Sequence, residues 1–354
     1  MKNEMVVGSG SGLLLCLFLF LFLPRALLAQ LGGESTYNFL KINSSGKSAA
    51  MAGVALAPQH NDVGMVAHNP ALLDSTMHKT ASFTYLSYLA GISHSSLAAA
   101  WHLSTVGTLG ASFANLGYGS FDSYDEEGES LGTFGANELT FALHYSRELP
   151  YRISVGASLG GIVSQLERYS SYGLALNIGA RYHSADGLFN ATLALKNMGT
   201  QITPYRENNY EKLPFEIQLS VAHRFERAPF GIAITLNDLQ SFSVYNNTQK
   251  ETAVVKMNGE QPSENVFFRV GKELMSHLSL GAEIVPSKYF YAMVGYSYRR
   301  NNELSLPNAG VGTGFSFGLG ITLKYVELCY ARAVYHAGAA TNHFGIVLKL
   351  NHPK

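Results

Sequence analysis

Along most of this chain apolar residues recur at every second position, while the positions between them carry almost no charge. In 138–146, Leu139, Phe141, Leu143 and Tyr145 alternate with Glu138, Thr140, Ala142, His144 and Ser146. In 153–160, Ile153, Val155, Ala157 and Leu159 alternate with Ser154, Gly156, Ser158 and Gly160. Phe315, Phe317, Leu319, Ile321 and Leu323 repeat the pattern against Gly314, Ser316, Gly318, Gly320 and Thr322, and the last run sets Phe344, Ile346, Leu348 and Leu350 against Gly345, Val347 and Lys349. A period of two belongs to β-strands that bury one face. In a soluble sandwich the other face carries solubilising charge. Here it carries mostly Gly, Ser, Ala and Thr with sparse charges, which suits the lumen of a barrel whose apolar face meets lipid. The runs also match the ~9–11 residues that cross a bilayer obliquely, and Tyr85, Tyr145, Tyr172, Tyr182 and Tyr291 cluster toward strand ends. Closure satisfies every backbone group, as hydrocarbon requires.

Composition agrees. Charged residues are 14% of the chain, against roughly 25% in soluble domains. Basic and acidic residues balance at 25 each, so nothing argues for nucleic acid. Beyond the N-terminus no window holds the ~18 continuous apolar residues of a spanning helix. Residues 1–29, with Lys2, the run "LLLCLFLFLFLP" and small Ala29, read as a secretory signal peptide. Cys16 lacks the neighbours of a lipoprotein site, so the exported chain keeps only Cys329 and has no internal disulfide.

Fifteen candidate strands begin near 80, 93, 107, 137, 152, 171, 188, 214, 229, 265, 277, 289, 313, 327 and 341. Bacterial barrels alternate short periplasmic turns with longer outer loops and carry even strand numbers. The long connections 118–136, 199–213 and 239–264 follow odd strands, and "RRNNELSLPNAGVG" is outer when counted back from a periplasmic C-terminus. Both counts agree only if "NVFFRVGK" at 265–272 is not a strand but part of an outer excursion over 240–275. The expectation is an all-β, fourteen-stranded antiparallel transmembrane barrel over 80–350, preceded at 30–79 by a segment folded back as a plug. Within it Pro70 fixes its own φ and extends Asn69, whose side chain can close a turn.

The stretch "SAAMAGVALAPQHNDVGMVAHNPALL" resembles the N-terminal hatch motif of FadL-like outer-membrane barrels, through Ala52, Gly53, Asp62, Asn69, Pro70 and Ala71. "LKNMG" at 195–199 with "LP" at 213–214, "GFSFGLGI", "CYARAVYH" and "NHFGIVLKL" resemble the PorV/PorQ family of that fold, as do "GGESTYNFLKINSSGKSAAMAG" and "LMSHLSLGAEIVPSKYF". That resemblance implies a non-enzymatic outer-membrane component of the type IX secretion attachment complex of Bacteroidota. It would dock a PorZ-like surface protein, with PorU and PorV in the same complex, while cargo is joined to lipopolysaccharide. The alternative is a FadL-like transporter that takes small hydrophobic molecules through the wall.

The residues themselves offer little chemistry. "GFSFG" at 314–318 matches a nucleophile pattern, but that pattern needs a strand-to-helix turn and Ser316 lies within an unbroken alternation. His144 and Glu138 share a face, where a lumen filler is the plain reading. No cofactor, metal or phosphate motif stands out, and Cys329 reads as an unreactive wall residue. Two outer segments are partner-docking candidates. Asp122, Asp125, Glu126, Glu127 and Glu129 form an acidic cluster that reads as a solvated tip, a docking surface or a divalent-ion site, and Phe267 and Phe268 lie in an apolar run that needs a cover. Arg181, Arg224 and Glu216, on the polar strand face, are candidates to touch the plug.

Overall fold

The computed structural model describes residues 35–54, 62–241, 266–304, 312–336 and 339–350. The leader expected at 1–29 lies outside the described residues, as do 30–34 and 55–61 of the expected plug and 242–265 of the expected outer excursion.

Fourteen strands follow one another around a closed antiparallel barrel in which β1 pairs with β14. They are β1 (Thr80–Ser87), β2 (Ser93–Leu103), β3 (Gly107–Tyr124), β4 (Ser130–Leu149) and β5 (Ile153–Leu166). Next come β6 (Tyr169–His183), β7 (Phe189–Thr203), β8 (Glu216–Arg224), β9 (Phe230–Leu236) and β10 (Leu278–Ser287). The barrel finishes with β11 (Phe290–Ser297), β12 (Phe315–Thr322), β13 (Val326–His336) and β14 (Ala339–Lys349). Strand number and topology agree with the sequence pattern, and residues 266–272 are not a strand.

The alternation is physical. Along β5, Ile153, Val155, Leu159 and Val163 point outward and exposed, while Ser154, Gly156, Ser158, Gly160 and Ser164 point inward and buried. Leu97, Phe113, Phe141, Leu143, Leu193, Phe317, Leu319 and Phe344 continue the outward face around the wall. Each large apolar side chain left in water forgoes about 1.5–3 kcal/mol. Dozens doing so at once could not be offset by a fold stable by ~10 kcal/mol, so the medium around the wall is lipid. Trp101, Tyr145, Tyr151, Tyr182, Phe225, Tyr289 and Tyr325 are exposed at or beside the six tight turns of one end and form an aromatic belt there.

Three features differ from expectation. The connection 118–136 is not a loop: β3 and β4 continue to Tyr124 and from Ser130 as a two-stranded ribbon standing roughly 20 Å above its neighbours. Phe121 stacks on Phe134, centroids 5.4 Å apart, within this ribbon. Cross-strand pairing continues through a bulge between Gly117 and Ser120, where Gly119 takes φ +84°. The run after 265 is helix α2 (Val266–Ser276), and "YRRNNEL" is helix α3 (Tyr298–Leu304), supported by Arg299 and Glu303 one turn apart at 2.6 Å. Inside the barrel a short helix, numbered α1 (Gly46–Ala50) by its place in the chain, belongs to the segment before β1.

Candidate functional site

Residues 35–54 and 62–79 run through the lumen, as their contacts show. Wall residues that meet them come from opposite sides of the barrel and all sit on inward positions. Glycine makes the approach possible. A Cβ on Gly156 of β5 would lie 2.5 Å from the Pro70 carbonyl carbon, and one on Gly295 of β11 would lie 2.3 Å from that of Met51. Gly179 and Gly318 leave similar room for Asn69 and Ala50.

The hatch is built from short turns with capped starts. Ser45 Oγ accepts the Ser48 N–H at 3.2 Å, capping α1, and its hydroxyl donates to Asp62 at 2.5 Å. Asp62 in turn accepts the Gly64 N–H at 2.9 Å at the start of the 3-10 turn Val63–Ala67. Asn69 accepts the Ala71 N–H at 3.1 Å, with Pro70 opening the turn Pro70–Leu72. Gly53 follows α1 at φ +86°, where its N–H reaches the Ser48 carbonyl at 2.8 Å. Asp62, Gly53, Asn69, Pro70 and Ala71 thus shape the hatch backbone.

Side chains then tie hatch to wall. Lys47 of α1, 1% exposed, pairs with Glu327 of β13, which also receives Lys349 Nζ and the Tyr291 hydroxyl, each at 2.9 Å. Asp74 meets Arg181 of β6 at 3.2 Å, and Arg181 also donates to Asn190 at 3.2 Å. Asn177 donates to the Ala67 carbonyl at 2.9 Å and accepts the Asn197 N–H at 2.6 Å, at a bulge between β6 and β7. Among the strand-face candidates, Arg181 therefore touches the hatch. Glu216 pairs with Lys196 at 2.9 Å, and Arg224 lies half-buried at the end of β8. Lys47, Glu327, Asp74 and Asn177 escaped the sequence reading. The signal for Glu327 was a lone carboxylate at an inward position of the apolar strand "VELCYARA".

Among the described residues, two cavities lie between hatch and wall. One, about 310 Å³, is mixed and rich in charge: Lys41, Lys196, Arg299 and Arg300 line it with Glu216, Asp238 and Glu303, beside Met65 and Leu72. Asp238 pairs with Arg299 and lies 3.9 Å from Lys41, while Arg300 donates to Ser316 at 2.9 Å. Burial, then Lys196, pulls the pKa of His68 in the hatch down to about 3, so its ring is neutral. The second, about 50 Å³, lies against β2–β7 and is bounded by Phe39, Leu40 and Ile42 of the hatch and by Ala98, Ala114 and Ala142 of the wall, with His94, Thr140 and Asn177 among them. The described residues hold no group of three His, Cys, Asp or Glu placed for a metal ion.

The two outer candidates are apart. Asp125, Glu126, Glu127 and Glu129 form the ribbon tip, where Asp125 accepts the N–H groups of Glu127 at 3.1 Å and Glu129 at 2.7 Å, and Asp122 sits in the ribbon. Helix α2 is inverted: Phe267, 81% exposed, and Phe268, 65% exposed, project with Leu274 and Met275, while Glu273 and Ser276 are buried.

No protein-family model and no curated protein matches this chain. Solved structures do resemble it. The toluene transporter TodX of P. putida is 12% identical with a TM-score of 0.50, over 88% of this chain and all of that one. A Pseudomonas aeruginosa FadL homologue is 8% identical with a TM-score of 0.47, over 87% and 98% of the two chains. The monoaromatic hydrocarbon channel CymD is 12% identical with a TM-score of 0.47, over 90% of this chain and all of that one. At 12% identity the likeness to TodX establishes the fold alone, a closed antiparallel β-barrel.

Proposed function

We propose that this chain is an outer-membrane channel, gated by its hatch, that admits small hydrophobic molecules. What carries the reading is the smaller cavity between hatch and wall, more apolar than polar in its lining, in a barrel of the same fold as a toluene transporter. Its ~50 Å³ is below the roughly 150 Å³ that holds a benzene ring. Entry therefore requires the hatch to yield, and the 3-10 turn Asn38–Lys41, which carries Phe39 and Leu40 and is followed by extended Ile42, is the element that moves. In the larger cavity an apolar molecule would displace water from Lys41, Lys196, Arg299, Arg300, Glu216, Asp238 and Glu303, a cost the smaller one imposes less. Purified protein in liposomes should accelerate uptake of labelled toluene but not of a sugar of similar size. No acceleration by folded protein would refute the channel.

A second reading is favoured by helix α2. An apolar face turned outward from a buried polar one fits a covering partner. This is the docking component of the type IX attachment complex, non-enzymatic, with a PorZ-like protein on the long-loop face and PorU and PorV beside it. Phe267→Ser with Phe268→Ser should then abolish co-purification of that partner and leave toluene uptake unchanged. Undiminished co-purification would remove the helix from any docking surface.

A further inference from the structure

The lipid-facing wall is uneven at β9–β11. Most outward positions there carry Ile, Leu, Val or Phe, but β10 places Ala282 and β11 places Ala292. Ala282 lies across from Ile232 of β9 and Val294 of β11, and Ala292 across from Ile284. The two small residues leave a groove of about 610 Å³ walled by Phe230, Ile232, Ile284 and Val294, and Phe225 and Ala228 lie at its short-turn end. The outward side chains that wall it are all apolar. In a bilayer such a groove cannot stay empty, because its walls would forfeit their dispersion contacts. A flexible hydrocarbon chain is what the surroundings supply.

The short-turn end of the groove is basic. The β8–β9 turn exposes Arg227, and the β10–β11 turn exposes Lys288, whose ammonium lies 5.0 Å over the Tyr289 ring. Arg227 is three residues beyond Phe230 and Lys288 four beyond Ile284, so both stand roughly 10–13 Å from the groove along the strands. That is the level of the aromatic belt, where headgroups lie. Glu226 is the one acidic residue in these two turns. We propose that this groove is a phospholipid site, holding one acyl chain over Ala282 and Ala292 while Arg227 and Lys288 receive an anionic headgroup.

Native mass spectrometry of the full chain, exchanged into mild detergent with equal phosphatidylglycerol and phosphatidylethanolamine, tests it. Wild type should retain one phosphatidylglycerol. Filling the groove with Ala282→Leu and Ala292→Leu should lower that adduct several-fold. Ala157→Leu, an outward alanine on β5, should leave it unchanged. Arg227→Gln with Lys288→Gln should cost roughly tenfold in preference for the anionic lipid. This variant alters only exposed turns and stands as the test if the leucine variant does not fold. The site is overturned if the groove-filled, SDS-resistant barrel keeps its adduct, if Ala157→Leu loses it equally, if wild type does not prefer phosphatidylglycerol, or if the turn variant keeps the wild-type preference.

Discussion

Glu327→Gln removes the carboxylate that holds α1 against β13, and its cost follows from burial. Lys47 is 1% exposed and Glu327 3%, so neither charge can turn to water in place. Lys349, at 25%, can. Losing one member of a buried pair costs about 3–5 kcal/mol, here charged to hatch docking and not to the barrel, whose ladders are untouched. The undocked hatch population should rise about a hundredfold or more, since 1.4 kcal/mol is a factor of ten. Lys47→Met should cost less, because Glu327 keeps Lys349 and Tyr291 at 2.9 Å. The double variant should cost less than the sum, by roughly 1–3 kcal/mol of coupling. Hydrogen exchange of the α1 amides reports docking, and SDS resistance reports the barrel. If Glu327→Gln exchanged these amides at the wild-type rate in an intact barrel, the ion pair would not be what seats the hatch.

Three other outcomes follow. Gly156→Ala forces a Cβ to within 2.5 Å of the Pro70 backbone; an overpacking cost of about 1–3 kcal/mol should speed proteolysis within 62–79 while the barrel stays SDS-resistant. His68 has a folded pKa of about 3 against an ordinary 6.5, so the released hatch binds the proton better. Docking is then at full strength above pH 6.5 and weakens as pH falls toward 3, by on the order of 1 kcal/mol per unit; exchange at pH 5.5 against 7.5 should show the loss, and His68→Gln should blunt it. Cysteine at Ser123 on the ribbon should react with an impermeant maleimide on whole cells, whereas cysteine at Ala185 in the β6–β7 turn should not; the reverse pattern would invert the barrel.

The wall was legible in the sequence because a period of two leaves one reading per residue, and loop parity then excluded "NVFFRVGK" as a strand. The ribbon was not, because Gly and Ser in "GYGSFDSY" look like loop and pair as strand once β3 and β4 are aligned. Helix α2 was hidden by its inversion: Phe267 and Phe268 signal burial, and the fold buries Glu273 and Ser276 instead. Hatch anchors such as Lys47–Glu327 join residues 280 positions apart, a pairing that no local pattern carries. The turn chemistry of Asn69 and Pro70 was readable because it acts within two residues, whereas Asp62 came only with the resemblance to the hatch motif.

The most direct measurement locks the hatch. A Cβ on Gly46 of α1 would stand 3.8 Å from the Cβ of Cys329 on β13, close to the mean separation in disulfides. Gly46→Cys should therefore cross-link hatch to wall on oxidation, without any other change. Uptake of labelled toluene into liposomes should fall to the protein-free rate in the oxidised form and return on reduction. Equal uptake in both forms, with the cross-link verified by mass, would contradict a gate at the hatch.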